Sequence, residues 1–161
     1  MGYCAEKVYM DKQGVIRWTE NKKEVAFFGA NYCLPSACDF RAAGYVGGER
    51  KQMIVEDLEH FKRMNWDGLR LCFWGDYQNT DREGNLQENE HLHLLDYLIA
   101  EADKRDIYML LSPIVTYNSQ WPEMSDTTNI GLAKYYPKNT LIHDEQAIRA
   151  QESYMKQLLN Y

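Results

Sequence analysis

Carboxylates are the first groups to weigh for chemistry, because Asp76, Asp81 and Glu83 crowd one polar stretch, Gly75 to Leu86. A suitably spaced pair of carboxylates does general acid and base work. Here they alternate with Asn79, Thr80, Gly84 and Asn85, types that close turns by bonding nearby backbone, so the stretch reads as a solvated loop closed by Gly84-Asn85. The histidines suggest no metal site. His91 and His93 stand two apart on a helical pattern and face different directions, His60 sits among charged neighbours, and His143 lies in a loop. Cys4, Cys33, Cys38 and Cys72 form no C-x-x-C pair, and the chain is too large to depend on disulfides. With no Gly-rich phosphate loop and no G-x-S-x-G elbow, nucleotide binding and serine-hydrolase chemistry recede, and neither metal nor cofactor is expected.

Arg70 demands an explanation of a different kind. It interrupts the apolar run Leu69-Arg70-Leu71-Cys72-Phe73-Trp74, which is short and bulky enough to be a strand buried on both faces of a parallel sheet. Alternation puts Leu69, Leu71 and Phe73 towards a covering helix and Arg70, Cys72 and Trp74 on the other side. A guanidinium stays charged, so enclosing it in a sheet interior calls for an anionic partner from elsewhere in the fold.

The elements that must position these residues follow from period and punctuation. Val8 to Met10 and Val15 to Trp18, joined by Asp11-Lys12-Gln13-Gly14, read as a β-hairpin over about 8–18. Val25 to Tyr32 is an apolar first strand ending on Asn31 and Tyr32. A loop rich in glycine, from Cys33 to Arg50, leads into a helix in which Ile54, Leu58, Phe61 and Met64 share a face and which Asp67-Gly68 ends. Leu92, Leu95, Leu98, Ile99 and Ala102 mark a second helix, with Lys104 and Arg105 placed against its negative end. Ile107 to Leu111 is a third strand stopped by Ser112-Pro113, and a long loop to Ile142 carries Tyr117, Trp121, Tyr135 and Tyr136. Asp144 or a neighbour is expected to cap a last helix whose apolar face is Ile148, Tyr154, Met155, Leu158 and Leu159. A hairpin followed by three strand-helix pairs predicts an α/β fold with a parallel sheet.

Composition narrows the partners. The chain has 161 residues, enough for one domain, and a net charge of -6 with no basic run, which argues against nucleic acid and anionic membranes. No apolar run is long enough to span a bilayer, and no secretory signal is visible at Met1-Gly2-Tyr3. Twelve Tyr and four Trp are many for this length, and several fall in loops. Trp74, Tyr117 and Trp121, with Tyr32 at the end of the first strand, are candidate substrate-binding aromatics, because aromatic faces stack on the apolar C–H faces of sugar rings.

Four stretches together resemble the beginning of a clan A glycoside hydrolase, the group of (β/α)8 barrels with family five cellulases and mannanases and family two β-glycosidases. They are Phe28-Gly29-Ala30-Asn31, the unit Asp57 to Arg70, the loop Asp81 to Leu86, and Ala102 to Tyr108. The resemblance spans nearly the whole chain. It implies the N-terminal part of a TIM barrel over 1–161, three βα units preceded by a hairpin that closes the barrel floor. It also implies a retaining hydrolase of β-linked oligo- or polysaccharides, secreted or periplasmic, in which Arg70 and Asn31 support a nucleophilic carboxylate. Where family five members often carry a histidine after the third strand, this chain has Ser112-Pro113-Ile114.

The clan's two catalytic glutamates belong to later strands, and no Asn-Glu pair here stands at a strand end, since Asn89-Glu90 opens a helix. The chain itself is therefore expected to hold no catalytic carboxylate. Its open sheet edges are expected to meet the remainder of a barrel or to self-associate. The competing class is a non-catalytic carbohydrate-binding or interaction α/β module.

Overall fold

A computed structural model describes residues 8–33, 47–73, 79–114, 131–137 and 139–161. Strands β1 (Val8–Met10) and β2 (Ile16–Trp18) pair antiparallel as a hairpin. Its turn is held by Asp11, whose Oδ1 accepts from the backbone N–H groups of Gln13 and Val15, both at 2.9 Å, while its other oxygen pairs with Arg17. The Val15 N–H and then Arg17 hold the Asp11 carboxyl below its ordinary range.

The sheet proper is β3 (Gly29–Cys33), β4 (Gly68–Cys72) and β5 (Tyr108–Ser112), parallel and in the order β3-β4-β5. Helix α1 (Arg50–Arg63) joins the first two strands and α2 (Glu90–Asp103) the last two. The first strand begins later than its apolar pattern predicts. Residues 25–28 are outside the ladder, with Val25 bonded to Ile16 of the hairpin. Phe27 crosses the sheet instead of continuing it, stacking on Tyr108 at 5.1 Å, while Trp18 meets both rings at 5.9 and 5.0 Å. Gly68 makes this crossing possible, since a Cβ there would sit 2.6 Å from that of Phe27. The hairpin thus lies against the N-terminal ends of the parallel strands.

Both crossover helices end by the same device, and for α1 it is not the Asp67-Gly68 stop that the sequence suggests. Asn65 takes a left-handed φ of 59°, with its N–H bonded to the Lys62 carbonyl and that of Trp66 to Phe61. Asp106, at φ 54°, does the same beyond α2, with Ile107 bonded to Ala102. This is the Schellman closure, and its usual apolar contact is present as Trp66 stacked on Phe61 at 4.9 Å.

The two helices cover one face of the sheet only. Leu69, Leu71 and Phe73 are buried there with Ile54, Leu58, Leu92, Leu95 and Leu98, as alternation along β4 requires. Each such side chain contributes about 1.5–3 kcal/mol of burial. The other face is open at Arg70 and at Leu110, which is 65% exposed, and closes at Cys72, which is buried. The expectation of a strand buried on both faces therefore holds at Cys72 and fails at Arg70, which stands in solvent.

A second core joins α3 (Leu132–Tyr135), a short helix within the long loop, to α4 (Glu145–Asn160). Of the candidate caps it is Asp144 that caps α4, accepting from Gln146 and Ala147 at 2.8 and 3.0 Å. The buried face agrees with the expected one at Tyr154 and Leu158 and differs elsewhere: Ala147 and Ala150 are inside, whereas Ile148 is 37% and Leu159 79% exposed. The cause is the loop after β4, which backs its Gly84 onto Ala150, so α4 needs small residues at the contact. Gln157 grips the same turn, accepting from the Leu86 N–H and donating to the Gly84 carbonyl, both at 3.1 Å.

Gly84 has φ 79°, and a Cβ there would collide with the Ala150 carbonyl, whereas Gly14 has a similar φ of 81° and open space around it. Gly14→Ala is expected to cost about 1–2 kcal/mol for its left-handed backbone, and Gly84→Ala clearly more, read as the difference in urea midpoints. Equal costs would mean that the loop does not rest on α4.

Candidate functional site

The C-terminal ends of parallel strands are where α/β folds gather ligand-binding groups, because loops and helix N-termini converge there. In this sheet Asn31 of β3 and Arg70 of β4, each the middle residue of its strand, are direct register partners on the open face. Leu110 of β5 is the next residue across. The Arg70 Nη1 lies 3.4 Å from the Asn31 Oδ1 and 3.6 Å from the Cys72 Sγ, contacts long enough to leave the guanidinium available to a better acceptor. Its partner among the described residues is thus an amide and a thiol, in place of the carboxylate that an enclosed arginine calls for. Exposure on the open face resolves the charge problem, since water solvates the guanidinium.

Asn31, Arg70 and Leu110 line a shallow hollow of about 490 Å³ with Gly29 and Gly68, and Phe27 forms one end of it. The arrangement is a planar cation and an amide beside an aromatic ring and a leucine. Such a surface can hold an anionic group by paired hydrogen bonds while an apolar face rests on the ring and the leucine.

The other candidates separate from this site. Tyr32 follows Asn31 along the strand, so alternation sends it to the helix side, where it is only 8% exposed. Its hydroxyl donates to the Asp57 Oδ2 at 2.8 Å and its ring meets Phe61 edge-on at 5.3 Å. Tyr32 thus ties β3 to α1, and as a sugar platform it is misplaced. Trp74, Tyr117, Trp121 and Asp76 lie outside the described residues.

Asp81 is occupied as turn chemistry. Its Oδ1 accepts from the N–H groups of Glu83 and Asn85 at 3.0 and 2.8 Å, and its Oδ2 from the Asn85 amide at 2.8 Å. Partial burial alone would raise its pKa, but these bonds outweigh it and hold the carboxyl below its ordinary range. Glu83 is exposed. Among the described residues no group of His, Cys, Asp and Glu could hold a metal ion, and no helix is long and apolar enough to cross a membrane.

Two polar clusters escape a reading of the sequence. One is Glu101, bridged to Lys104 at 2.5 Å and to Arg105 at 2.8 Å, with Arg105 also reaching Glu59 of α1 at 2.8 Å. The hydrogen bond from Lys104, then that from Arg105, holds the Glu101 carboxyl low. It ties the two helix ends together at the hairpin end of the sheet, away from Asn31 and Arg70. The other is the fully buried pair Asn79 and Thr80 beneath the loop after β4. Asn79 donates to the Asn89 Oδ1 at 2.7 Å, which in turn caps α2, and Thr80 accepts from the buried Leu132 N–H at 2.9 Å. A local i to i+10 pairing of two asparagines leaves no periodic trace, so only the turn-prone composition hints at it.

His91, at the start of α2, is buried with its ring 4.6 Å from that of Phe73, and burial pushes its pKa down to about 3. The unfolded chain binds a proton at His91 near the ordinary pKa of about 6.5. Its contribution to stability is therefore complete above that value and is lost as pH falls towards 3. His91→Leu is expected to flatten the fall of Tm between pH 6.5 and 4, measured by circular dichroism. An unchanged slope would place the histidine in contact with water.

Comparison of the chain with protein-family models, with curated proteins and with solved structures gave no match.

Proposed function

We propose that this chain is the N-terminal part of a (β/α)8 barrel glycoside hydrolase that cleaves β-linked oligo- or polysaccharides with retention. The observation that supports this most is the registered pair of Asn31 and Arg70 on the open face of a parallel sheet whose opposite end is covered by a hairpin. In a closed barrel that open face becomes the interior, and the hairpin is then its floor. Retention needs one carboxylic acid to protonate the leaving oxygen and a second carboxylate, about 5 Å away, to attack the anomeric carbon. Both come from strands outside this chain. Arg70 orients the nucleophilic carboxylate and lowers the cost of its charge, and Asn31 holds the guanidinium in place and faces the sugar. Trp74, Tyr117 and Trp121 serve as sugar platforms. The reaction needs no cofactor or metal.

On this reading the 161-residue chain gives no turnover of aryl β-glycosides, and a protein extended along its own reading frame to include two strand-end glutamates does. In that longer protein Arg70→Ala is expected to lower kcat by about a hundredfold or more with the fold intact by circular dichroism. Full activity in the variant would make the arginine idle. A reading frame lacking both glutamates would leave a non-catalytic carbohydrate-binding module as the account of the same face.

A further inference from the structure

Strand register brings together two cysteines that lie far apart in the sequence. Cys33 ends β3 and Cys72 ends β4, and the two are direct partners in the parallel ladder. Neighbouring strands lie about 4.8 Å apart, and a disulfide bridges Cα atoms separated by about 4.4–6.8 Å, so the two backbones already stand at bridging distance. Alternation places this pair on the same side of the sheet as Asn31 and Arg70, the register pair before it. Cys72 is a free thiol and only 7% exposed. Burial shields its sulfur from bulky reagents and leaves the register partner as its natural reaction partner. The Arg70 Nη1 lies 3.6 Å from the Cys72 Sγ, so the guanidinium feels any change at that sulfur.

We propose that Cys33 and Cys72 form a reversible disulfide, a redox site that sets the hydrogen bonding of Arg70. The oxidant is a low-molecular-weight disulfide. The Cys33 thiolate attacks one of its sulfurs and releases one thiol, and the Cys72 thiolate then attacks the Cys33 sulfur of the mixed disulfide and releases the second. Two electrons pass from the cysteines to the oxidant, and their two protons leave on the released thiols. Side-by-side residues hold their Cβ atoms about a strand spacing apart, wider than the about 3.8 Å of a relaxed disulfide. The bridge is therefore strained and easily reduced, which makes it a switch rather than a permanent staple. A bridged sulfur cannot become a thiolate, the form that accepts most strongly from a guanidinium. Closing the bridge thus frees Arg70 for another acceptor on the same face. Both cysteines belong to the first two parallel strands of this chain, so the bridge is compatible with a closed barrel and stands whether or not the face binds carbohydrate.

The test uses the 161-residue chain with glutathione as the probe, added first as its disulfide and then as an excess of its thiol. Peptide mapping without reductant locates the bridges by mass, and the Arg70 Nε resonance of labelled chain reports on the guanidinium. A bridge between Cys33 and Cys72 is expected to form in the folded chain, with loss of the two thiol hydrogens, and to be fully reversed by the glutathione thiol. The Arg70 Nε resonance is expected to shift with the bridge while Leu58 on the helix side stays unmoved. Cys4→Ser combined with Cys38→Ser should leave both effects intact, and Cys33→Ser added to that pair should abolish both. A Cys72 that stays a thiol in excess glutathione disulfide overturns the proposal, as does its recovery only as a glutathione adduct or in a bridge to Cys4 or Cys38. A bridge that forms only in urea, or that leaves Arg70 Nε unmoved, overturns it equally.

Discussion

Alternation along β4 is the constraint on which the rest of the molecule depends. Leu69, Leu71 and Phe73 must leave water together, and the only apolar cover that a parallel sheet can obtain locally is the pair of crossover helices beside it. Right-handed crossovers place both helices on one side, so the second face of the sheet receives no helix from these units. Arg70 is tolerated at the centre of the strand because it belongs to that second face. The same division sends Asn31 outward beside it and draws Tyr32 inward to Asp57.

The two ends of the sheet are built for different purposes. At the N-terminal end, left-handed Asn65 and Asp106 turn each helix sharply into its strand, while Trp18, Phe27 and Tyr108 fill the space beneath. Ion pairs among Glu59, Glu101 and Arg105 lock the helix ends together. Phe27 of this end also closes one end of the hollow at Asn31 and Arg70. At the C-terminal end the loop after β4 is held by Asp81 from within and by Gln157 from α4, and buried Asn79 and Thr80 anchor it to α2 and α3.

Most of the fold was legible in the sequence because periodicity reports burial directly. The hairpin, the three strands, the three long helices and the Asp144 cap all follow from local pattern. The departures share a cause, which is that a tertiary neighbour overrides the local signal. Phe27 leaves the strand because Gly68 and Tyr108 accept its ring, and α4 buries its alanines because Gly84 approaches them. Asn65 ends α1 in a left-handed conformation that glycine usually supplies, so the more conspicuous Asp67-Gly68 misleads. For the site, Asn31 and Arg70 stand out in the sequence as polar residues within apolar strands, but their contact is a matter of register between distant segments. An aromatic at a strand end, as Tyr32 is, says nothing of its face until the phase of the strand is known.

The central claim is that the open sheet face around Asn31 and Arg70 binds carbohydrate. It is tested most directly by titrating isotopically labelled chain with cello- and manno-oligosaccharides while following the side-chain resonances of Arg70 Nε and Asn31 Nδ2. The account predicts saturable shifts at these two groups and at Leu110, with residues on the helix side such as Leu58 and Leu98 unmoved. Shifts confined to other surfaces, or none with any β-linked oligosaccharide, would contradict it.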